Sequence, residues 1–151
     1  MKPIQLDLSR ISARLEPGPD LWDPIRRKKV KADPEEWVRQ MLIHYFIEVL
    51  GVPRGLISVE KRIKVGSLQK RYDILVHDRS GKALLLVECK APNVKITQKV
   101  FDQAGRYNLA LKVPWLLISN GCESYCAHID HLKGSSSFVS QIPDFHSLST
   151  Y

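Results

Sequence analysis

The sequence feature that most constrains the fold is a run of apolar residues that ends abruptly in charges. Residues 83–87 read Ala-Leu-Leu-Leu-Val, and Glu88, Cys89 and Lys90 follow directly. An apolar run this dense is typical of a central β-strand that is covered on both faces. Because alternate side chains of a strand share a face, Glu88 and Lys90 point the same way at the end of that strand. Two charges in such a place need a partner or a function.

A second apolar strand brings another carboxylate toward the same place. Asp73 precedes Ile74-Leu75-Val76, and Asp78-Arg79-Ser80-Gly81 has the composition of a tight hairpin turn. Antiparallel pairing about that turn returns Asp73 toward Glu88. We therefore expect two carboxylates and the Lys90 ammonium to converge where the two strands separate.

These groups allow two interpretations. Two carboxylates and a nearby backbone carbonyl, that of Cys89, are hard oxygen ligands of the kind that Mg²⁺ prefers. An ammonium beside them, from Lys90, can orient a metal-held water and offset charge at an attacked phosphate. The other interpretation is an ordinary cross-strand salt bridge, because Glu and Lys pairs are common on exposed strands.

The rest of the pattern predicts an α/β (α+β) domain with one central mixed β-sheet flanked by helices. Asp33 and Pro34 are typical of a helix start, and apolar residues then recur at helical spacing until Gly51. A second helix is predicted from Thr97, as its N-cap, to about Lys112. Predicted strands cover residues 57–64, 70–77, 82–90, 114–119 and 122–129, with Asn120-Gly121 as a type I′ turn between the last two. The predicted order is α-β-β-β-α-β-β.

The first predicted helix carries two candidate acids. On a helical wheel Glu35 shares the side of Val38 and Leu42, whereas Glu36 faces away. We therefore expect Glu35 on the core-facing side, where a carboxylate needs a partner, and keep Glu36 as the alternative.

Length and composition suggest a single compact domain. A chain of 151 residues has the size of one domain, and we predict an irregular N-terminal arm over residues 1–33, the domain itself over 34–133, and a C-terminal tail over 134–151 that packs on or extends it. The longest apolar run is far below the roughly 20 residues that cross a bilayer. The first residues also show no apolar signal segment, so we expect a cytoplasmic protein with no membrane partner.

The charge balance is basic, with 23 Lys and Arg against 16 Asp and Glu and a formal net charge of +7. Such an excess suits nucleic acid, an anionic surface or good solubility. The densest run of cations lies at Arg26–Lys31. It is either a solvated charged loop or an arm that contacts phosphates.

The order of these motifs resembles the PD-(D/E)xK nuclease superfamily. The matching elements are a helix with an inward Glu, then Asp73, then Glu88-Cys89-Lys90, then a helix with Gln103 and Tyr107 at the QxxxY spacing. More closely, four segments resemble the N-terminal nuclease domain of type I restriction enzyme R subunits: Pro34–Gln40, Arg71–Asp73, Val87–Pro92 and Asn120-Gly121.

This resemblance implies a restriction-endonuclease-like core and a metal-dependent DNA endonuclease. It implies that Asp73 and Glu88 bind Mg²⁺, with Mn²⁺ as a substitute, and that Lys90 assists the attacking water. It also implies that Glu35, or Glu36 instead, completes the metal environment. Gln103 and Tyr107 would support the site or contact the DNA backbone.

A second reading of the resemblance is a weakly active or inactive DNA-binding module that needs a separate motor or specificity partner. No Gly-x-x-x-x-Gly-Lys-Ser/Thr phosphate loop occurs in the sequence. Any such motor would therefore be separately encoded. The sequence predicts no oligomeric state.

Overall fold

A computed structural model describes residues 1–11 and 18–150 and places a six-stranded mixed sheet between helices. The strands are β1 (Asp20–Asp23), β2 (Lys28–Lys31), β3 (Ile57–Val65), β4 (Leu68–His77), β5 (Ala83–Cys89), β6 (Trp115–Ser119), β7 (Ser124–Asp130) and β8 (Ser135–Val139). The helices are α1 (Pro34–Glu48), α2 (Gln98–Leu111) and α3 (Phe145–Thr150), with 3₁₀ turns at Leu8–Arg10 and Arg54–Leu56. The large sheet has the order β3-β4-β5-β6-β7-β8. This confirms the predicted mixed α/β fold.

The apolar run at residues 83–87 forms the middle of the sheet. β5 pairs antiparallel with β4 and parallel with β6, and α2 makes the crossover between the two parallel strands. Leu85, Leu86 and Val87 are fully buried, as is most of β6. Burial on both faces explains why this strand has no polar residue before Glu88.

Helices cover both faces of the sheet. On one face α1 and α3 pack against β4, β5 and β6, through residues that include Val38, Leu42, Phe46, Ile74, Val87, Leu117 and Leu148. On the other face α2 packs through Phe101 and Ala104 against Leu75, Leu86, Leu116 and Ile118. Thr97 caps α2 as predicted, accepting a hydrogen bond from the backbone N–H of Val100. No helix in the two described ranges is long and apolar enough to cross a membrane.

The N-terminal segment differs from the predicted irregular arm. Residues 20–31 form an antiparallel hairpin, β1–β2, in which Leu21 pairs with Val30. Ile4 makes a single antiparallel bridge to Ser124. Both Leu21 and Val30 are buried, so this hairpin packs against the domain rather than extending from it. The part of the arm at residues 12–17 lies outside the described residues, as does Tyr151 in the tail.

The tail after residue 134 contributes an edge strand and a helix. β8 pairs antiparallel with β7, and Phe145 and Leu148 of α3 enter the core on the α1 face. The turn before β7 is longer than predicted. Residues 120–123 connect β6 and β7, and the Asn120 side chain accepts hydrogen bonds from the backbone N–H groups of Cys122 and Glu123. The predicted two-residue turn was therefore wrong, and β7 begins at Ser124 instead of Cys122.

We expect Gly121→Ala to destabilise the fold more than Gly81→Ala. Both glycines have similar positive φ angles, 88° and 89°, so both substitutions carry a backbone cost of about 1–2 kcal/mol. A Cβ at Gly121 would also lie 3.2 Å from Val38 Cγ2 of α1, whereas one at Gly81 meets nothing within 4 Å. Urea unfolding of the two variants measures the difference. Equal losses of stability in the two variants would contradict the expected steric clash between a Cβ at Gly121 and Val38 of α1.

Candidate active site

The candidate site lies where the central strands β4 and β5 emerge from the core. Ile74 pairs with Val87, and Asp73 and Glu88 are the next residues beyond this pair. Both strands are buried up to that point, so the carboxylates stand where the apolar interior stops. The structure brings the two acids within electrostatic range, since Glu88 is one of the charges that raise the pKa of Asp73.

Asp73 is largely buried, with 22% of its side chain exposed. Its Oδ2 accepts a hydrogen bond from the Cys89 backbone N–H at 2.7 Å, and its Oδ1 lies 3.4 Å from Nη2 of Arg39. Burial raises the pKa of this carboxyl to about 6; Glu35 and Glu88 add to the rise, and Cys89 and Arg39 oppose it. At neutral pH the negative charge of Asp73 is therefore incompletely neutralised by its surroundings.

Glu88 contacts two lysines, and the nearer one was not predicted. Nζ of Lys70 lies 2.5 Å from Oε1 of Glu88, whereas Nζ of Lys90 lies 3.9 Å from Oε2. Lys70 is also held over the Tyr107 ring, 3.9 Å from its centroid. The sequence indicated Lys70 only through its position on the same strand as Asp73. A lysine on a strand can be solvated or part of a site, so this position alone did not identify it.

A local irregularity of the β3–β4 hairpin explains why Asp73 and Lys70 reach different partners. Ile74 packs with the α1 layer, whereas Tyr72 packs with the α2 layer. The change of layer falls at Asp73 and at Glu60, which lies between the paired positions Val59 and Lys61 and has a φ of 51°. Such interruptions of a strand pair are frequent beside active sites, where they redirect a side chain. Asp73 consequently lies between the two helical layers.

Gln103 and Tyr107 face the same cleft as Glu88 of β5 and Lys90, which directly follows that strand. A concave surface is lined by Glu88, Lys90, Gln103 and Tyr107, together with Gln69, Lys70, Val100 and Ala104. The spacing of four residues on α2 thus places both predicted polar side chains toward β5. Their roles in catalysis or DNA contact stay predictions.

The burial expected for the two acids of α1 was wrong. Glu35 is exposed, whereas the side chain of Glu36 is only 13% exposed. The β1–β2 hairpin covers the side of α1 that the wheel left open to solvent, so Glu36 lies between Arg26 of that hairpin and Arg39 of α1. Glu35 nevertheless acts on the site, because its charge raises the pKa of Asp73.

Arg39 is the main site residue that the sequence did not indicate directly. Its side chain is 8% exposed and forms ion pairs with three carboxylates: Asp73 at 3.4 Å, Glu60 at 3.2 Å and Glu36 at 3.5 Å. Although burial opposes ionisation, contacts with this and other arginines hold the pKa of Glu60 below its usual value. The available signal was the expectation that a buried acid of α1 requires a cationic partner.

A divalent cation fits the chemistry of Asp73, Glu88 and the Cys89 carbonyl. All three supply hard oxygens, and the raised pKa of Asp73 marks a place where added positive charge is favourable. In residues 1–11 and 18–150, no three His, Cys, Asp or Glu side chains are grouped so that they could hold a metal ion. Glu35 therefore does not join the other two acids as a third side-chain ligand here.

Comparison with known families places the chain in one of them. Residues 34–143 match the family described as the type I restriction enzyme R protein N terminus. The chain belongs to that family. The matched segment contains α1, both central strands and α2, and so includes every predicted site residue of this family member.

Among solved structures, the chain is similar to a fragment of a putative HsdR subunit of a type I restriction enzyme from Vibrio vulnificus YJ016. The two are 24% identical with a TM-score of 0.43, and the match covers 62% of this chain and 20% of that one. The chain thus corresponds to about a fifth of the length of that structure. Comparison with curated proteins finds no match.

We expect Asp73→Asn to stabilise the metal-free protein above pH 6 and to leave its stability nearly unchanged at pH 4. The folded-state pKa of about 6 exceeds the ordinary aspartate value of 3.8, so the stability associated with protonation is complete below 3.8 and is lost as the pH rises through about 6. The neutral amide avoids that loss. About two pKa units correspond to a gain of at most about 3 kcal/mol at pH 8.

Urea unfolding of both proteins in EDTA, at pH 4, 5 and 8, measures this difference. A stability difference that does not change with pH, or a destabilised variant at pH 8, would contradict the electrostatic account of Asp73.

We expect Arg39→Met to lower the free energy of unfolding by about 3 kcal/mol at pH 8, because it leaves partly buried carboxylates without their shared cation. Arg71→Met is the matched control. Arg71 also contacts Glu60, at 3.8 Å, but its side chain is 51% exposed, so its removal should change stability by less than about 1 kcal/mol. Urea unfolding distinguishes the two, and equal effects would show that burial of Arg39 is not what matters.

Proposed function

We propose that this chain is a metal-dependent DNA endonuclease domain that hydrolyses phosphodiester bonds. The observation that carries the proposal is the pair of neighbouring carboxylates formed by Asp73 of β4 and Glu88 of β5. One of them, Asp73, has a pKa of about 6 because burial and nearby acids disfavour its charge. Perturbed acids in a cleft are typical of functional sites, and membership of the R protein N-terminal family supports a restriction-related role.

Asp73, Glu88 and the Cys89 carbonyl would hold Mg²⁺ or, as a substitute, Mn²⁺. When bound, such an ion polarises a phosphate and lowers the pKa of a coordinated water. Lys90 lies at the cleft with 34% of its side chain exposed, so its ammonium is able to orient the attacking water and to offset charge on the phosphate. Gln103 and Tyr107 line the same cleft and would position the backbone of the DNA.

In the proposed reaction, the water oxygen forms a bond to phosphorus while the bond from phosphorus to the 3′ oxygen breaks. The water gives up its proton to solvent, and the departing 3′ oxygen takes one. The products are a 3′-hydroxyl and a 5′-phosphate. Residues of this chain contribute mainly by holding charge and orientation, since Glu88 and Lys90 line one cleft and Asp73 of β4 lies beside the position of Glu88 on β5.

A second candidate is a DNA-binding module with little activity of its own, active only beside a separately encoded motor or specificity partner. One observation favours it: both acids are already paired with protein cations, Asp73 with Arg39 and Glu88 with Lys70. A cation that binds between the acids must therefore displace or share these contacts. Lys70 would then be a competitor of the metal rather than a helper.

Plasmid nicking in Mg²⁺ tests the proposed function. We expect the wild-type protein to nick supercoiled DNA, and Lys90→Ala, Asp73→Asn and Glu88→Gln to lower the rate by about a hundred-fold or more, as loss of one stabilising group in a transition state does. Lys82→Ala is the control, because Lys82 is an exposed lysine at the opposite end of β5.

Equal nicking by wild type and Lys90→Ala would exclude the proposed role of Lys90. Mn²⁺ binding, followed by electron paramagnetic resonance, separates the two candidate functions. Binding that is lost in Asp73→Asn supports the nuclease, whereas salt-dependent DNA binding without Mn²⁺ binding or cleavage supports the module.

A further inference from the structure

The β1–β2 hairpin has two faces of different character, and it precedes the segment that matches the family. Its inner face is buried through Leu21, Asp23 and Val30. Its outer face carries Trp22, which is 57% exposed, and Lys29, the residue directly opposite Trp22 on the partner strand. Among the described residues, Trp22 is the one strongly exposed aromatic side chain.

The basic run at this hairpin divides into one structural cation and four exposed ones. Arg26 turns inward and pairs with the buried Asp23. The exposed cations are Arg27, Lys28, Lys29 and Lys31. Asp20 faces Lys31 across the hairpin, and Lys31 lies 3.9 Å from Asp33. By register Lys29 and Lys31 share the outer face with Trp22 and Asp20, whereas Lys28 lies opposite Asp23. With the exposed Arg27 in the turn, the surface around the indole ring keeps a positive excess.

We propose that this outer surface of β1–β2 is a docking surface for single-stranded DNA, with a base stacked on Trp22 and phosphates held by Lys29 and the neighbouring cations. The inference rests on the proposed function, which makes DNA the substrate. Aromatic rings interleaved with cations bind single strands because every unpaired base offers a π face while the backbone offers charge. In a duplex the base faces are already stacked, so an indole on a hairpin surface has little to bind.

The hairpin is joined to the candidate active site by a continuous series of ion pairs. Arg26 contacts Glu36 at 2.5 Å and Glu60 at 3.2 Å. Glu60 contacts Arg39, and Arg39 contacts Asp73. Burial opposes the charge of Arg26, but its carboxylate partners raise its pKa, so Arg26 keeps the charge on which its own contacts depend. DNA bound at the hairpin is thus held by an element that is fixed relative to Asp73.

The test uses the full chain with Asp73→Asn in EDTA, so that binding is measured without cleavage. Fluorescence anisotropy of a labelled oligo(dT) reports affinity. We expect Trp22→Ala to weaken binding about ten-fold or more, as the loss of one stacked base does, and Trp22→Phe to retain most of it. Lys29→Ala should weaken binding and lower the slope of log affinity against log salt by about 0.7.

The matched controls lie on the β7–β8 turn, away from the hairpin. Leu132→Ala removes a fully exposed apolar side chain, and Lys133→Ala removes an exposed lysine. Both should leave the affinity within about two-fold of the parent. Tryptophan fluorescence gives a second readout, because Trp115 is only 1% exposed and Trp37 is partly buried against the core, which leaves Trp22 as the most accessible of the three tryptophans. Quenching by oligo(dT) should therefore be lost in Trp22→Phe, even though that variant still binds.

Several results would overturn the docking surface: no binding of oligo(dT) by the parent, equal affinity in Trp22→Ala and Leu132→Ala, or duplex bound as tightly as single strand. Binding of phosphatidylserine vesicles, but not oligo(dT), through Trp22 would show a membrane partner instead. None of these results bears on Mg²⁺-dependent nicking by the wild-type protein. Conversely, absence of nicking with Trp22-dependent binding would retain the docking surface and reject the nuclease.

Discussion

Burial of the central strands on both faces is the constraint on which the rest of this structure depends. β5 and β6 are covered by α1 on one side and by α2 on the other, so a charge is tolerated only where a strand leaves the core. Glu88 and Lys90 stand at that limit on β5, and Asp73 stands at the corresponding limit on β4. The hairpin then changes layer at Glu60 and Asp73, so Asp73 pairs with Arg39 of α1 whereas Lys70 of the same strand pairs with Glu88.

The electrostatics of the site follow from this crowding of acids at one end of the sheet. Each neutralising cation comes from a different part of the fold: Arg39 from α1, Lys70 from β4 and Lys90 from the residue directly after β5. Together they do not offset the burial of Asp73, whose pKa is raised to about 6. A fold that keeps such a carboxylate sacrifices stability at neutral pH, which is a common feature of functional sites. This incomplete neutralisation of Asp73 is chemically compatible with two states of the site. In one, protein cations pair with the acids, and in the other a metal ion does.

The β1–β2 hairpin, which precedes the residues that match the family, contributes Arg26 as the outermost member of the ion-pair network. Without β1–β2, the side of α1 that carries Glu36 would be open to solvent, and Glu36 would have lost its contact with Arg26. The basic run Arg26–Lys31 therefore contains residues in two different structural environments, which the amino-acid composition alone does not distinguish. Arg26 is part of the interior electrostatics, whereas its neighbours remain on the surface with Trp22.

Local pattern determined much of this protein. Periodicity and turn residues predicted both long helices and the central strands, and hairpin pairing placed Asp73 opposite Glu88, because these depend on contacts close in sequence. The sequence did not predict the order of burial of Glu35 and Glu36, the shared cation Arg39, or the short contact between Lys70 and Glu88. Those features depend on a hairpin folding over α1 and on a strand changing layer, and both are packing arrangements that side-chain periodicity and turn residues do not encode. A helical wheel predicts a single buried side of α1. In the folded protein the β1–β2 hairpin covers a second side, and this packing buries Glu36 rather than Glu35.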